Sequence, residues 1–131
     1  MNITTKSISK NEFLELIEFD KIHFYQSMEK LNLPVAMLPP LYKEEDIARG
    51  YNQGDQIDWV MVNGHIKAGY LWFKMELNYL FIEAIVLQEQ FCGLGIGQYI
   101  LELAEKKAKQ ANLELCRLVV MPNYRFWLCR H

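Results

Sequence analysis

The chain has 131 residues, 51% of them apolar, and a formal net charge of -2. That is enough for one domain with a real core and leaves no room for a second, while the near-neutral balance with scattered Lys and Arg excludes a surface built to neutralise nucleic-acid phosphates. The opening "MNITTKSISKNEF" lacks the apolar region of a signal peptide, and no apolar run approaches the roughly 18 residues of a membrane span, so a cytoplasmic protein with no membrane or nucleic-acid partner is expected.

The first expected element starts at "SKNE", where Ser9 and Glu12 have capping-box spacing ahead of Phe13, Leu16, Ile17, Ile22 and Phe24. A helix over about 11 to 30 follows. Pro34, Pro39 and Pro40 then make "LNLPVAMLPP" a loop on the substrate side, and "KEEDIARGYNQG" reads as a short helix stopped by Gly50 or Gly54. "IDWVMV" and "IKAGYLWFKM" are strand-like runs joined at Asn63-Gly64, a strong hairpin signal.

"NYLFIEAIVL" predicts a central strand, because strict alternation puts Tyr79, Phe81, Glu83, Ile85 and Leu87 on one face and Leu80, Ile82, Ala84 and Val86 on the other, both apolar. Ile96, Ile100, Leu103, Ala104, Ala108 and Ala111 then recur at helical steps, opposite Glu102, Glu105, Lys106 and Lys109, and Asn112 can end that helix. The "EKKAK" cluster on it reads as a solvated face. "LCRLVVM" supplies one more strand, and "PNYRFWLCRH" closes the sequence without a further element. There is no internal repeat.

Cys92, Cys116 and Cys129 are odd in number and lack metal-ligand spacing, and His23, His65 and His131 are far apart, so neither a disulfide framework nor a metal site is expected. The chemistry concentrates instead at "CGLGIG", Cys92 to Gly97, three glycines between a buried strand and a helix start. Helix N-terminal amides lack intrahelical partners and the helix dipole favours negative charge there, while glycine lets an anion approach the backbone. The alternative is a tight turn needing positive φ. A dinucleotide fingerprint fails, because Gln98 stands where its last glycine should be, and a P-loop fails for want of Gly-Lys-Ser/Thr.

Strand, glycine turn and long helix together resemble the GNAT superfamily of N-acetyltransferases, whose pyrophosphate loop reads Gln/Arg-x-x-Gly-x-Gly/Ala. Here Gly95 and Gly97 fall on its glycine positions, and "GHIKAGYLWF" looks like the family's third strand. The resemblance implies an α/β fold of the α+β type, with a mixed, mostly antiparallel central sheet flanked by helices, as a single domain over residues 1 to 131. It implies acetyl-CoA as co-substrate, held by Gly93, Leu94, Gly95, Ile96, Gly97 and Gln98, with Leu87 pairing with the pantetheine arm and Asn123 contacting the cofactor.

Glu83, the one ionisable residue inside the central strand, matches the family's strand-four glutamate and is the candidate base, partly desolvated between Phe81 and Ile85. The alternative is a structural or substrate-binding carboxylate. The resemblance therefore implies acetyl transfer to a small-molecule or peptide primary amine by direct attack. A second reading is a non-catalytic acyl-CoA-binding or interaction module.

Two departures accompany the resemblance. Cys92 replaces the first Gln/Arg of the loop, and Arg130 stands seven residues after Asn123, where the family has a tyrosine acid; Tyr124 is another donor candidate. The family's last two strands look absent, which leaves the edge of "LCRLVVM" open and makes a homodimer an expectation. Tyr25, Tyr42, Trp59, Tyr70 and Trp72 either line an acceptor pocket or are core, with core favoured.

Overall fold

The computed structural model describes residues 1–30, 34, 36, 38–116 and 125–127. Its sheet runs in the order β1 (Ile3–Ser7), β2 (Gln56–Val62), β3 (Ile66–Met75), β4 (Tyr79–Leu87), each antiparallel to the next. Two short strands then pair in parallel with β4: β5 (Glu114–Cys116) along Tyr79 to Phe81, and β6 (Arg125–Trp127) along Ala84 to Val86. The mixed, mostly antiparallel sheet flanked by helices is thus as expected. β1 and β6 were not foreseen, because each is short and β1 turns only Ile3 and Thr5 partly inward.

The first helical run extends from Lys10 through Glu29, close to the expected span: a single 3-10 turn, α1 (Phe13–Asp20), a widened π turn (Lys21–Tyr25) and α2 (Gln26–Glu29). Its start is fixed as the capping box predicts, the Ser9 backbone N–H donating to Glu12 Oε1 at 3.0 Å. Glu12 also ties the helix to the sheet. Its Oε2 accepts from Trp59 Nε1 at 3.0 Å and from Lys67 Nζ at 2.9 Å, and Lys67 also donates to Glu15.

Desolvation would push the Glu12 carboxyl up, but hydrogen bonds from Lys67 and Ser9, with the Lys67 charge, outweigh it and hold the pKa at about 2. Burial alone would lower the Lys67 ammonium; Glu15 and Glu12 reverse this and raise it.

The second helix, α3 (Glu44–Asn52), runs past Gly50 and stops at Gly54, whose φ is 95°. The Asp55 N–H returns to the Gly50 carbonyl and the Gly54 N–H to Tyr51, which satisfies the last carbonyls. Gly50 also sets a packing distance. A Cβ there would stand 2.7 Å from the Trp72 ring, so only glycine seats α3 this close to β3. The last helix, α4 (Ile96–Gln110), buries Ile96, Ile100, Ala104 and Ala108 at four-residue steps, and Asn112, at φ 57°, ends it as expected. Leu103 is only half-buried and Ala111 is exposed, a narrower apolar stripe than the sequence predicts.

The sheet divides the core in two. On one face α4 packs over Val60, Leu71, Phe73, Leu80, Ile82, Ile85 and Leu87. On the other, α1, the π turn and α3 pack over Trp59, Tyr70, Trp72, Ala84 and Val86. Each of the larger apolar side chains here contributes about 1.5–3 kcal/mol on burial.

The faces of β4 correct the alternation expected from sequence. Leu80 and Ile82 share the α4 face with Ile85 and Leu87, while Ala84 and Val86 point the other way. The cause is a β-bulge: Trp72 pairs with Ala84 and Phe73 with Ile82, so Glu83 is an extra residue without a partner in β3. Ile85 is therefore not on the Glu83 face.

Candidate active site

The bulge aims Glu83 at a cavity of about 530 Å³ on the α1/α3 side of the sheet. Among the described residues, the cavity draws on three elements besides β4: the loop at Pro40 to Tyr42, α3 through Asp46 and Arg49, and β3 through Trp72 and Lys74. Asp55, just after α3, closes one side and accepts a hydrogen bond from Trp72 Nε1 at 2.9 Å. The Tyr42 and Trp72 rings meet at 5.2 Å, so an apolar aromatic wall adjoins the charged groups.

Glu83 is about one-quarter exposed, and its Oε2 lies 3.8 Å from Lys74 Nζ. An ion pair this long and this open is worth no more than about 1 kcal/mol. The carboxylate therefore already faces an ammonium group it holds only weakly. A ligand amine can take that place at little cost. Lys74, Asp46, Arg49 and Asp55 were not singled out in the sequence; the signal for Lys74 is its two-residue spacing from Trp72, which puts both on one face of β3.

At its far end β4 leads through Gln88 and one 3-10 turn (Glu89–Phe91) into the glycine turn. Gly93 and Gly95 adopt φ values of 77° and 81°, and Gly95 caps α4 in the left-handed region. An added Cβ would meet nothing within 4 Å at either position, so both glycines answer a backbone need and both open onto space. Leu94 and Gln98 are exposed, Gly97 is half-buried, and the Ile96 side chain is fully buried, which leaves only its amide to face a ligand. Gln98 Nε2 donates to Glu102 at 3.2 Å.

Leu87 is buried in the α4-side cluster and pairs with Gly69; β6 ends its pairing at Val86. The half-buried Cys92 thiol lies 4.0 Å from the Gln88 carbonyl oxygen. Asn123, Tyr124 and Arg130 lie outside the described residues. Of the aromatics, Trp59 and Tyr70 are core, Trp72 and Tyr42 line the cavity, and Tyr25 is half-buried. No group of three metal-ligating side chains converges among the described residues, and no helix among them is long and apolar enough to cross a membrane.

A central strand feeding a glycine turn at the head of a long helix is the arrangement that the sequence resemblance implied. The chain belongs to the acetyltransferase (GNAT) family, whose model matches residues 21–127. No curated protein matches the chain by sequence.

Solved structures share its fold at low identity. A possible acetyltransferase from Clostridium difficile 630 superposes with a TM-score of 0.63 at 11% identity, over 92% of this chain and 81% of that one. The PaiA N-acetyltransferase of Thermoplasma acidophilum, solved in complex with coenzyme A, gives 0.61 at 18% identity, over 86% and 76%. A GNAT family acetyltransferase of Staphylococcus aureus gives 0.58 at 19%, over 94% and 90%.

Proposed function

We propose that this protein transfers the acetyl group of acetyl-CoA to a primary amine by direct attack, with Glu83 as the base. The observation that carries the reading is the bulge, which takes Glu83 out of alternation and delivers its carboxylate to a cavity beside an ammonium group. In this reading Glu83 accepts the proton of the acceptor's ammonium. The free amine attacks the thioester carbonyl, the new C–N bond forms, the C–S bond breaks, and the CoA thiolate leaves and takes up the second proton that the attacking nitrogen sheds.

The N-terminal amides of α4 and the glycine turn, Gly93 to Gln98, hold the pyrophosphate, because the positive φ values at Gly93 and Gly95 shape the turn and its surface is open. Leu87 contributes backbone to the pantetheine arm, with Asn123 as a further cofactor contact. A cytoplasmic location goes with this use of acetyl-CoA, and a homodimer through the sheet edge is a further part of the proposal.

Titration with acetyl-CoA by calorimetry, paired with free-thiol release over a panel of amines, tests it. Saturable binding with thiol release that falls about 100-fold or more in Glu83→Gln supports the reading. Binding without turnover on any amine replaces it with a non-catalytic acyl-CoA-binding module. No binding reduces the glycines to a turn.

A further inference from the structure

We infer that the acceptor is a small zwitterion, a primary ammonium and a carboxylate on one apolar body of amino-acid to dipeptide size. The inference rests on the acetyl-transfer reading for the fate of the amine, but its geometry is independent of it. Among the described residues the cavity holds two ion pairs, and both are stretched. Arg49 reaches Asp46 at 3.4 Å with its side chain 63% exposed, and Lys74 reaches Glu83 at 3.8 Å. Charge-assisted hydrogen bonds of this kind close to about 2.7–2.9 Å when they are strong. Each pair therefore has a cation and an anion that a ligand can bind without breaking a good contact.

The four partners differ in how firmly they are held. Asp46 is committed to the start of α3, where its Oδ2 accepts from the Lys43 N–H at 3.0 Å, and Asp55 is committed to Trp72. Glu83 has, among the described residues, only the long contact to Lys74, so it is the anion open to an incoming ammonium. Arg49, mostly exposed, and Lys74, once Glu83 turns to the ligand, are the cations open to a carboxylate.

A zwitterion thus satisfies both signs and leaves the net charge of the cavity unchanged. A diamine would bring a second cation toward Arg49 and Lys74. A simple monoamine would leave both cations without a new partner. The paired Tyr42 and Trp72 rings supply the apolar wall for the ligand body, and a cavity of about 530 Å³ is ample for this size class.

The test is calorimetric titration of the full chain, with and without CoA, using ε-aminohexanoate, hexanediamine and hexylamine, which share a carbon skeleton and differ in end-group charge. The zwitterion is expected to bind about tenfold or more tightly than either amine, as one added charge-assisted contact implies. In Arg49→Gln and in Lys74→Gln that preference is expected to shrink toward unity in at least one variant; Arg49 is exposed enough that its loss leaves folding intact, which a thermal melt checks.

Equal binding of all three compounds, tighter binding of the diamine, or an undiminished preference in both variants would overturn the inference. Zwitterion preference in a chain that binds no CoA would support it and overturn the transfer reading, so the two failures are distinct.

Discussion

Gly69 on β3 and Val86 on β4 approach so closely that a Cβ on Gly69 would stand 2.3 Å from the Val86 carbonyl oxygen. No side-chain rotation relieves a clash with backbone. Gly69→Ala should therefore force the central strands apart and cost about 3 kcal/mol or more, or prevent folding. Gly64→Ala, at a hairpin position with φ 79° and open space around it, should cost only about 1 kcal/mol. Urea unfolding of the two variants checks the contrast, and equal losses would contradict it.

Glu12 makes the fold sensitive to acid. Its folded pKa of about 2 lies below the ordinary 4.5, so its contribution is complete above 4.5 and is lost as pH falls from there toward 2. Because the group retains some solvent contact, about 1–2 kcal/mol is the expected size. His23 acts in the same direction: burial lowers its pKa, so the unfolded chain takes up a proton first as pH falls below about 6.5. The raised Lys67 pKa gives the opposite limb, with stability present below 10.5 and lost above it. Melting temperatures from pH 2 to 8 in wild type and Glu12→Gln should differ by a constant amount above about 4.5 and converge as pH falls from there toward 2. Parallel curves would remove Glu12 from the account.

Replacing Gly95 tests the turn through backbone geometry alone. A β-branched residue at φ 81° is strained by about 1–3 kcal/mol, whereas asparagine tolerates the left-handed region. Gly95→Val should weaken acetyl-CoA binding about tenfold, and Gly95→Asn should bind within a few-fold of wild type. If both bind like wild type in calorimetry, the turn is not the phosphate site.

For Glu83, the expected split is kinetic. Glu83→Gln should lower kcat about 100-fold or more with little change in KM for acetyl-CoA, since the carboxylate serves the amine. A variant of near wild-type rate would leave Glu83 as a binding residue only.

Much of this was legible in the sequence. Ser9 and Glu12 marked the first helix, Asn63-Gly64 the hairpin, and Gly93 to Gly97 the turn into α4, because each local signal has a backbone cause that tertiary packing does not override. Besides β6, three things were hidden. β1 has too little burial to show alternation. The bulge at Glu83 is invisible because Ile82 and Ile85 are both apolar, so either phase gives a plausible strand. The cavity joins Arg49 of α3 to Lys74 and Glu83 of adjacent strands, and no spacing along the chain encodes that meeting.

The extra residue in β4 also acts as a half-step in a two-step rhythm. Everything after it inherits the offset: had the strand kept strict time, Leu87 would leave the α4 side, and the chain would enter the turn toward α4 from the opposite surface of the sheet. The position of the carboxylate and the direction from which the glycine turn is launched are thus one setting rather than two. Deleting Glu83 alone would remove the carboxylate and the bulge yet leave Ile85 and Leu87 on the α4 side, whereas removing Glu83 and Ala84 together would turn both to the opposite face.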